Sequence, residues 1–356
     1  MKAQVFYEKG DIRFGEAPVP AIGVDEALIR VNTACICGSD IAYFFGRSPL
    51  ETKTGKGPLI TGHEMSGEIC EIGKRAAENR DIHIGDRVAA DPVQVCGTCV
   101  YCKQGKINLC DNGKVLGVGV DGGFAEYVRV KASNVFRLPD GCDFEEGALV
   151  EPLACAMNAI RQADIKIGDF VTVIGTGAIG LMLVQLAKAA GAGSVAAVGV
   201  VDFQLKKALA LGADYAFNTG DPQSPYYCDN VTEAVGDITS GLLSDKVLVP
   251  TSARAAMAQA LEISGKDSAI VYFGLASPGD RIEVPALQSL LMNKTVKFSW
   301  RARYTFPDAV RAIERKKINL KELITHRYPL EKLEEALRFM DAPEGEKIKC
   351  AIKIHQ

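Results

Sequence analysis

"DFVTVIGTGAIGLMLVQLAKAAGA", Asp169 to Ala192, is the stretch on which the fold turns. It begins with a short run of apolar, largely β-branched residues, as a buried strand does. A turn follows, with Gly175, Gly177 and Gly180 in G-x-G-x-x-G spacing. Beyond the turn, apolar residues recur at helical intervals as far as Gly191, a helix stop. Alone the glycine motif is weak, and a glycine-rich turn between buried elements is its bland alternative. Set between strand and helix it predicts a dinucleotide site. The first glycine permits the tight turn, the second the approach of a pyrophosphate, the third close helix–strand contact. The helix start at Ala178 and Ile179 would offer free N–H groups and a positive dipole end to the phosphates.

Downstream, "SVAAVGV", "DYAFN", "DKVLVP", "SAIVYFGL" and "TVKFSW" read as strands, and "FQLKKALALGA" and "ARAAMAQALEIS" as helices. Strands alternating with helices predict a doubly wound parallel sheet. Residues 1–150 are instead rich in short strands punctuated by Gly and Pro, such as "ALIRVNTACI", "GEICEIG" and "GFAEYVRV". The end of the chain reads as two amphipathic helices and a strand. With 356 residues, two domains are expected. The net charge of −3 gives no reason to expect a nucleic-acid partner. No apolar run reaches the ~18 residues of a membrane span, and the start of the chain lacks the apolar core of a signal peptide. A cytoplasmic protein without a membrane partner is expected.

Four of the 11 cysteines fall in "CGTCVYCKQGKINLC", at Cys96, Cys99, Cys102 and Cys110. Disulfides are rare in reducing compartments. Four thiolates with no open position describe a structural zinc site, and the flanking loop-like sequence, 91–113, would use metal in place of a core. Four inert thiols are the alternative.

The chain has four histidines. His63 stands in "GHEMSGE" beside Glu64, with Cys37, Ser39 and Asp40 upstream in "CICGSD" and Glu151 downstream in "LVEPLAC". One thiolate, one imidazole and one or two carboxylates make a plausible open zinc site, although a His-Glu pair is more often simply polar.

Taken together, "CGSD", "GHE", the four-cysteine lobe, "DGGFAEY", "FEEGALVEPL", "GTGAIG", "WRARYTFP" and "ITHRYPLEKLEEA" resemble the zinc-dependent medium-chain dehydrogenase family, in its sorbitol (polyol) dehydrogenase branch. The resemblance covers nearly the whole chain. It implies a GroES-like, β-rich catalytic domain, residues 1–153 and 297–356, and a Rossmann dinucleotide-binding domain, residues 154–296, with the active site in the cleft. It implies Cys37, His63 and Glu64 as ligands of a catalytic zinc, with Glu151 bound directly or through water. Asp40 would fix the imidazole, Ser39 would accept the substrate's hydroxyl proton, and Tyr43 and Arg301 would line the substrate pocket. The four-cysteine lobe would hold a second zinc. The reaction implied is hydride transfer between NAD or NADP and a secondary alcohol of a polyol, cyclitol or sugar derivative, in a homodimer or homotetramer. A phosphate or carboxylate on the substrate, met by Arg301 or Arg303, is the variant reading. A non-catalytic nucleotide-binding protein and a zinc-free quinone reductase are the rivals.

Two departures stand out. Ala42 replaces a histidine that passes the proton to solvent in many relatives. Gly199 stands where relatives that prefer NAD carry an acid, and Gln204 where a helix arginine is usual. Asp202 is expected to open the next helix rather than hold ribose, and Lys206 and Lys207 are the nearest cations. Weak discrimination between NAD and NADP follows, with Gly199→Asp expected to favour NAD.

Overall fold

The computed structural model describes residues 1–48, 57–79, 81–343 and 345–355. The chain forms two compact units. One comprises Met1–Ala154, Arg303–Arg315 and Leu320–Gln356, the other Cys155–Ala302 and Lys316–Asn319.

The second unit is built on a sheet of six parallel strands among the described residues: Phe170–Ile174, Ser194–Gly199, Tyr215–Asn218, Ser244–Val249, Ser264–Tyr272 and Thr295–Phe298. Their spatial order is third, second, first, fourth, fifth, sixth. The chain therefore reverses direction across the sheet at Phe170–Ile174, and the carboxyl end of that strand is where such folds bind ligands. All five residues of this first strand are buried, as a central parallel strand requires. The helix Ala178–Ala190 follows, buries Gly180 through Ala187, and ends at Gly191 with φ +106°. Ile174, Val198, Val247, Val249, Met257, Leu261 and Ile270 pack in the core of this unit.

In the first unit the organising element is the ten-residue strand Glu26–Cys35. Glu64–Ile72 lies antiparallel along one side of it. Two shorter strands share the other side: Tyr127–Lys131 pairs with Glu26–Arg30, and Lys349–Lys353 with Thr33–Cys35. The chain's last strand is thus laid against one of its first. A separate small sheet joins Asp11–Glu16, Lys2–Glu8 and Leu59–Ile60. Phe6, Ile29, Phe44, Met65, Ile69, Phe124 and Leu337 belong to the core.

Three elements were not legible in the sequence. Ile324–Pro329 is a strand although only its first residue is fully buried; pairing with Lys349–Lys353 makes it one. Val231–Ile238 is a helix despite its β-branched residues, because Val231 and Val235 share a buried face and Asn230 caps the Glu233 N–H at 3.1 Å. Ala286–Leu291 is a short helix with no buried residue. The cysteine lobe, which reads as loop, holds one turn of helix at Val100–Lys103 and a 3₁₀ turn at Ile107–Leu109.

Candidate active site

Strand register assembles the first cluster. Cys35 pairs with Glu64, and two residues past Cys35 the chain reaches Cys37, the N-cap of the helix Gly38–Phe44. Cys37, His63 and Glu64 thereby bring one donor atom each within 4.8 Å of the others. His63 is 8% exposed and Glu64 1%. Asp40, also buried, accepts the Cys37 N–H at 2.9 Å and faces His63 Nδ1 at 3.4 Å. Ser39 Oγ lies 3.4 Å from the other ring nitrogen, Nε2. Burial drives His63 toward its neutral form, but Asp40 and Cys37 outweigh it and hold the imidazole above its ordinary value. A thiol, an imidazole and a carboxylate converging in a buried site is a donor set suited to zinc. Glu151, in the first turn of the helix Val150–Ala163, is not part of this close group.

Lys349 was missed at the level of sequence. Its ammonium donates to Glu64 Oε1 at 2.6 Å and to the Ile36 carbonyl at 2.9 Å, with both side chains nearly inaccessible. Glu64 Oε2 is also 2.6 Å from the ammonium but receives no aligned hydrogen bond. A lysine inside the apolar "IKCAI" was the available signal, since lysine is almost never buried without a partner. Burial pulls Lys349 down, yet Glu64, then Cys37 and Cys35, more than reverse this and hold it above its ordinary value of 10.5.

The two proposed pocket residues differ in setting. Tyr43 packs edge-on against Phe6 at 4.9 Å, and its buried hydroxyl has no hydrogen-bond partner among the described residues. Arg301 has φ +56° and lays its guanidinium over Trp300 at 4.6 Å. Its carbonyl accepts from the buried amide of Asn158 at 2.8 Å, a second residue the sequence did not single out.

In the lobe, Cys96, Cys99, Cys102 and Cys110 form the other close group. Cys110 Sγ is 3.5 Å from Cys96 Sγ and 3.9 Å from Cys99 Sγ. Zinc–sulfur bonds of about 2.3 Å imply a tetrahedron edge of about 3.8 Å, so the spacing suits a four-thiolate ion. Backbone N–H groups of Cys96, Cys99 and Cys102 point at sulfurs of Cys110, Cys96 and Cys99. Backbone N–H groups of Thr98 and Cys99 bring Cys96 down to about 5, while burial and the adjacent Cys110 thiol push Cys102 up to about 12. Four sulfurs this close do not all ionise without a cation among them. The lobe is tied down through Asn134, which donates to the Asp91 and Val93 carbonyls, and through Arg303, which donates to the Gly105 carbonyl at 3.0 Å.

The glycine turn of the second unit fits a dinucleotide. Gly175 adopts φ +112°. A Cβ on Gly180 would lie 1.8 Å from the Gly175 carbonyl oxygen, whereas one on Gly177 would meet nothing within 4 Å. The turn is therefore closed on its inner side and open toward a ligand. Gly199 ends the second strand. Asp202 opens the next helix, as expected, and accepts from Asn218 at 2.6 Å and Ser224 at 2.5 Å. Thr176 donates to Gln204 Oε1 at 3.3 Å.

Comparison with known proteins agrees with this geometry. Residues 23–140 match the family model for the alcohol dehydrogenase GroES-like domain, and residues 178–315 that for zinc-binding dehydrogenases. Sorbitol dehydrogenase of Bombyx mori is 33% identical over 99% of this chain and 98% of its own length. D-arabitol-phosphate dehydrogenase of Enterococcus avium is 33% identical over 96% and 93%. A Sinorhizobium meliloti 1021 protein described as a zinc-binding dehydrogenase, solved bound to NADP, superposes with a TM-score of 0.90 at 28% identity, covering 99% of each chain. The chain belongs to the zinc-dependent medium-chain dehydrogenase family. Within it the chain falls in the polyol dehydrogenase branch and is a zinc- and NAD(P)-dependent oxidoreductase. No helix among the described residues is long and apolar enough to cross a membrane.

The buried ion pair generates a prediction. Removing one partner strands the other's charge, so Lys349→Met should cost about 3–5 kcal/mol in urea unfolding. Adding Glu64→Gln should recover part of that loss. Because Lys349 is raised when folded, its contribution is complete below pH 10.5 and is lost as pH climbs through the folded value. A Lys349→Met protein as stable as wild type would remove the pair from this account.

Proposed function

We propose that the first unit is the catalytic domain, with Cys37, His63 and Glu64 holding a catalytic zinc, and that the second unit binds the nicotinamide dinucleotide at Gly175, Gly177, Ala178, Ile179 and Gly180. The observation that carries this reading is the close group Cys37, His63 and Glu64, its histidine and glutamate buried, with Ser39 Oγ at 3.4 Å from the imidazole. Bound there, zinc supplies Lewis-acid polarisation of a substrate oxygen, and the nicotinamide accepts or returns hydride. The chain's own residues do the rest. Asp40 orients His63 from behind. Ser39 takes the hydroxyl proton and, with Ala42 following on the same helix, delivers it to solvent without a histidine. Glu151 serves through an intervening water, since it stands apart from the close group. The buried Tyr43 hydroxyl meets a substrate hydroxyl. Cys96, Cys99, Cys102 and Cys110 hold a structural zinc.

The preferred substrate is an unphosphorylated polyol, cyclitol or sugar derivative, oxidised or reduced at a secondary carbon, in the cytoplasm. A screen of polyols, cyclitols and their phosphates with both dinucleotides tests this; turnover confined to phosphates would replace it with the phosphorylated reading.

The chain also offers a surface for a second copy. Leu287, Leu290 and Leu291 are 69%, 77% and 74% exposed on the short helix that precedes the terminal strand of the parallel sheet. An apolar patch against an uncovered strand edge invites association, and a homo-oligomer is proposed.

Three outcomes are expected. Elemental analysis should find two zinc ions per chain; Cys99→Ser should lower soluble yield, and Cys37→Ser should abolish turnover in a folded protein. A single metal, or none, in carefully prepared protein contradicts the two-site reading. Ser39→Ala should reduce kcat by ~10²-fold or more, the scale of a lost acid–base group; undiminished turnover would reassign the proton acceptor. Sedimentation of wild type should show a dimer or tetramer, and Leu290→Asp with Leu291→Asp should shift it toward monomer. A monomeric wild type would leave those leucines without this role.

A further inference from the structure

We propose that Thr176, between the first two glycines of the turn, bars the acid by which such sites select NAD, because it occupies the space in which an acidic side chain at position 199 would begin. The proposal rests on the reading that the Gly175–Gly180 turn binds a nicotinamide dinucleotide.

An acid at the end of the second strand is the usual group that holds the adenosine ribose hydroxyls and repels a 2′-phosphate. Here the strand ends at Gly199. A Cβ placed on Gly199 would lie 2.4 Å from Thr176 Oγ1, 3.3 Å from Thr176 Cγ2 and 3.4 Å from Leu205 Cδ2. The first distance is shorter than real Cβ contacts, and the other two leave little room to yield. Thr176 is 3% exposed and Leu205 is fully buried. A β-branched side chain has few rotamers, and turning Thr176 away would break its hydroxyl's bond to Gln204 Oε1. Gly199 and Thr176 are therefore a matched pair: the threonine sits where it does because 199 has no side chain, and 199 gains one only if the threonine moves.

Asp202 has another task, opening the next helix while Asn218 and Ser224 bind its Oδ1. The groups that remain beside the strand end, a threonine hydroxyl and the Gln204 carboxamide, are neutral. They neither repel a 2′-phosphate nor neutralise it, so the site admits both dinucleotides. The expectation that Gly199→Asp alone would favour NAD is revised accordingly. That substitution collides with Thr176, and an NAD-selective site requires Thr176→Ala as well.

The test is a cycle of four proteins: wild type, Thr176→Ala, Gly199→Asp and the double variant. Dissociation constants for NADH and NADPH are measured by calorimetry on the binary complexes, together with melting temperatures, so turnover is not the readout. Wild type should bind both within ~10-fold, and Thr176→Ala should keep a similar ratio. Gly199→Asp should lose ~10-fold or more toward both and melt lower, and the double variant should regain NADH and bind it ~10-fold or more tighter than NADPH, a strong coupling between neighbours. If Gly199→Asp does not fold, Gly199→Ala with and without Thr176→Ala measures the same coupling; a penalty on dinucleotide affinity relieved by Thr176→Ala supports it. Equal effects of the 199 substitution in both backgrounds overturn the proposal while leaving the dinucleotide site intact. A wild type that binds neither compound overturns the site itself and the proposal with it.

Discussion

A charged lysine and a charged glutamate lie together where water does not reach, and the first unit is arranged around that fact. Lys349 and Glu64 are 285 residues apart in sequence and 2.6 Å apart in space. Their meeting follows from one strand, Glu26–Cys35, which takes Glu64–Ile72 on one side and Lys349–Lys353 on the other. Because side chains alternate along a strand, a one-residue slip in either pairing would turn one charge away and leave the other buried and alone. The same register that satisfies the pair brings Glu64 and His63 to Cys37. The ion pair and the Cys37–His63–Glu64 group are two consequences of a single alignment.

That arrangement bears on what Glu64 can do. A carboxylate shared with an ammonium is a weaker ligand than one held by neutral donors, because part of its charge is already compensated. Lys349 thus stands behind the Cys37–His63–Glu64 group on the Glu64 side, as Asp40 does on the His63 side. One neighbour compensates charge on the carboxylate and the other supplies it to the imidazole. The electrostatic character of the group depends on both, and neither belongs to the close cluster itself.

The two remaining sites are shaped by different constraints. In the cysteine lobe the residues are partly exposed and the turn Val100–Lys103 buries none of its own, so the four close sulfurs form its centre. In the glycine turn the constraint is space. A side chain on Gly180 would strike the Gly175 carbonyl, one on Gly199 the Thr176 hydroxyl, and one on Gly177 nothing within 4 Å. The first allows close helix–strand packing, and the open position leaves backbone that a pyrophosphate could approach.

Much of this was legible in the amino-acid order because it depends on local pattern. The strand–glycine turn–helix at Asp169–Ala192 declared a parallel sheet, and the spacing of Cys96, Cys99, Cys102 and Cys110 declared a compact ligand group, since neighbours in sequence are neighbours in space. Asp202 could be placed at a helix start by counting along one strand and one turn. Other features depend on elements distant in sequence. Lys349 reads as one more lysine until the last strand is laid beside an early one. Ile324–Pro329 lacks a strand's apolar alternation and becomes one only through its partner. Asn158 has no visible task until Arg301 is folded back onto it, 143 residues later. That Thr176 fills the space above Gly199 could not be read either, because the glycine announces only a missing side chain. Periodicity and spacing are properties of the chain, so the sequence by itself determined the fold class and the ligand types. Which groups share a buried volume is a property of the packed molecule, and that the tertiary structure alone decided.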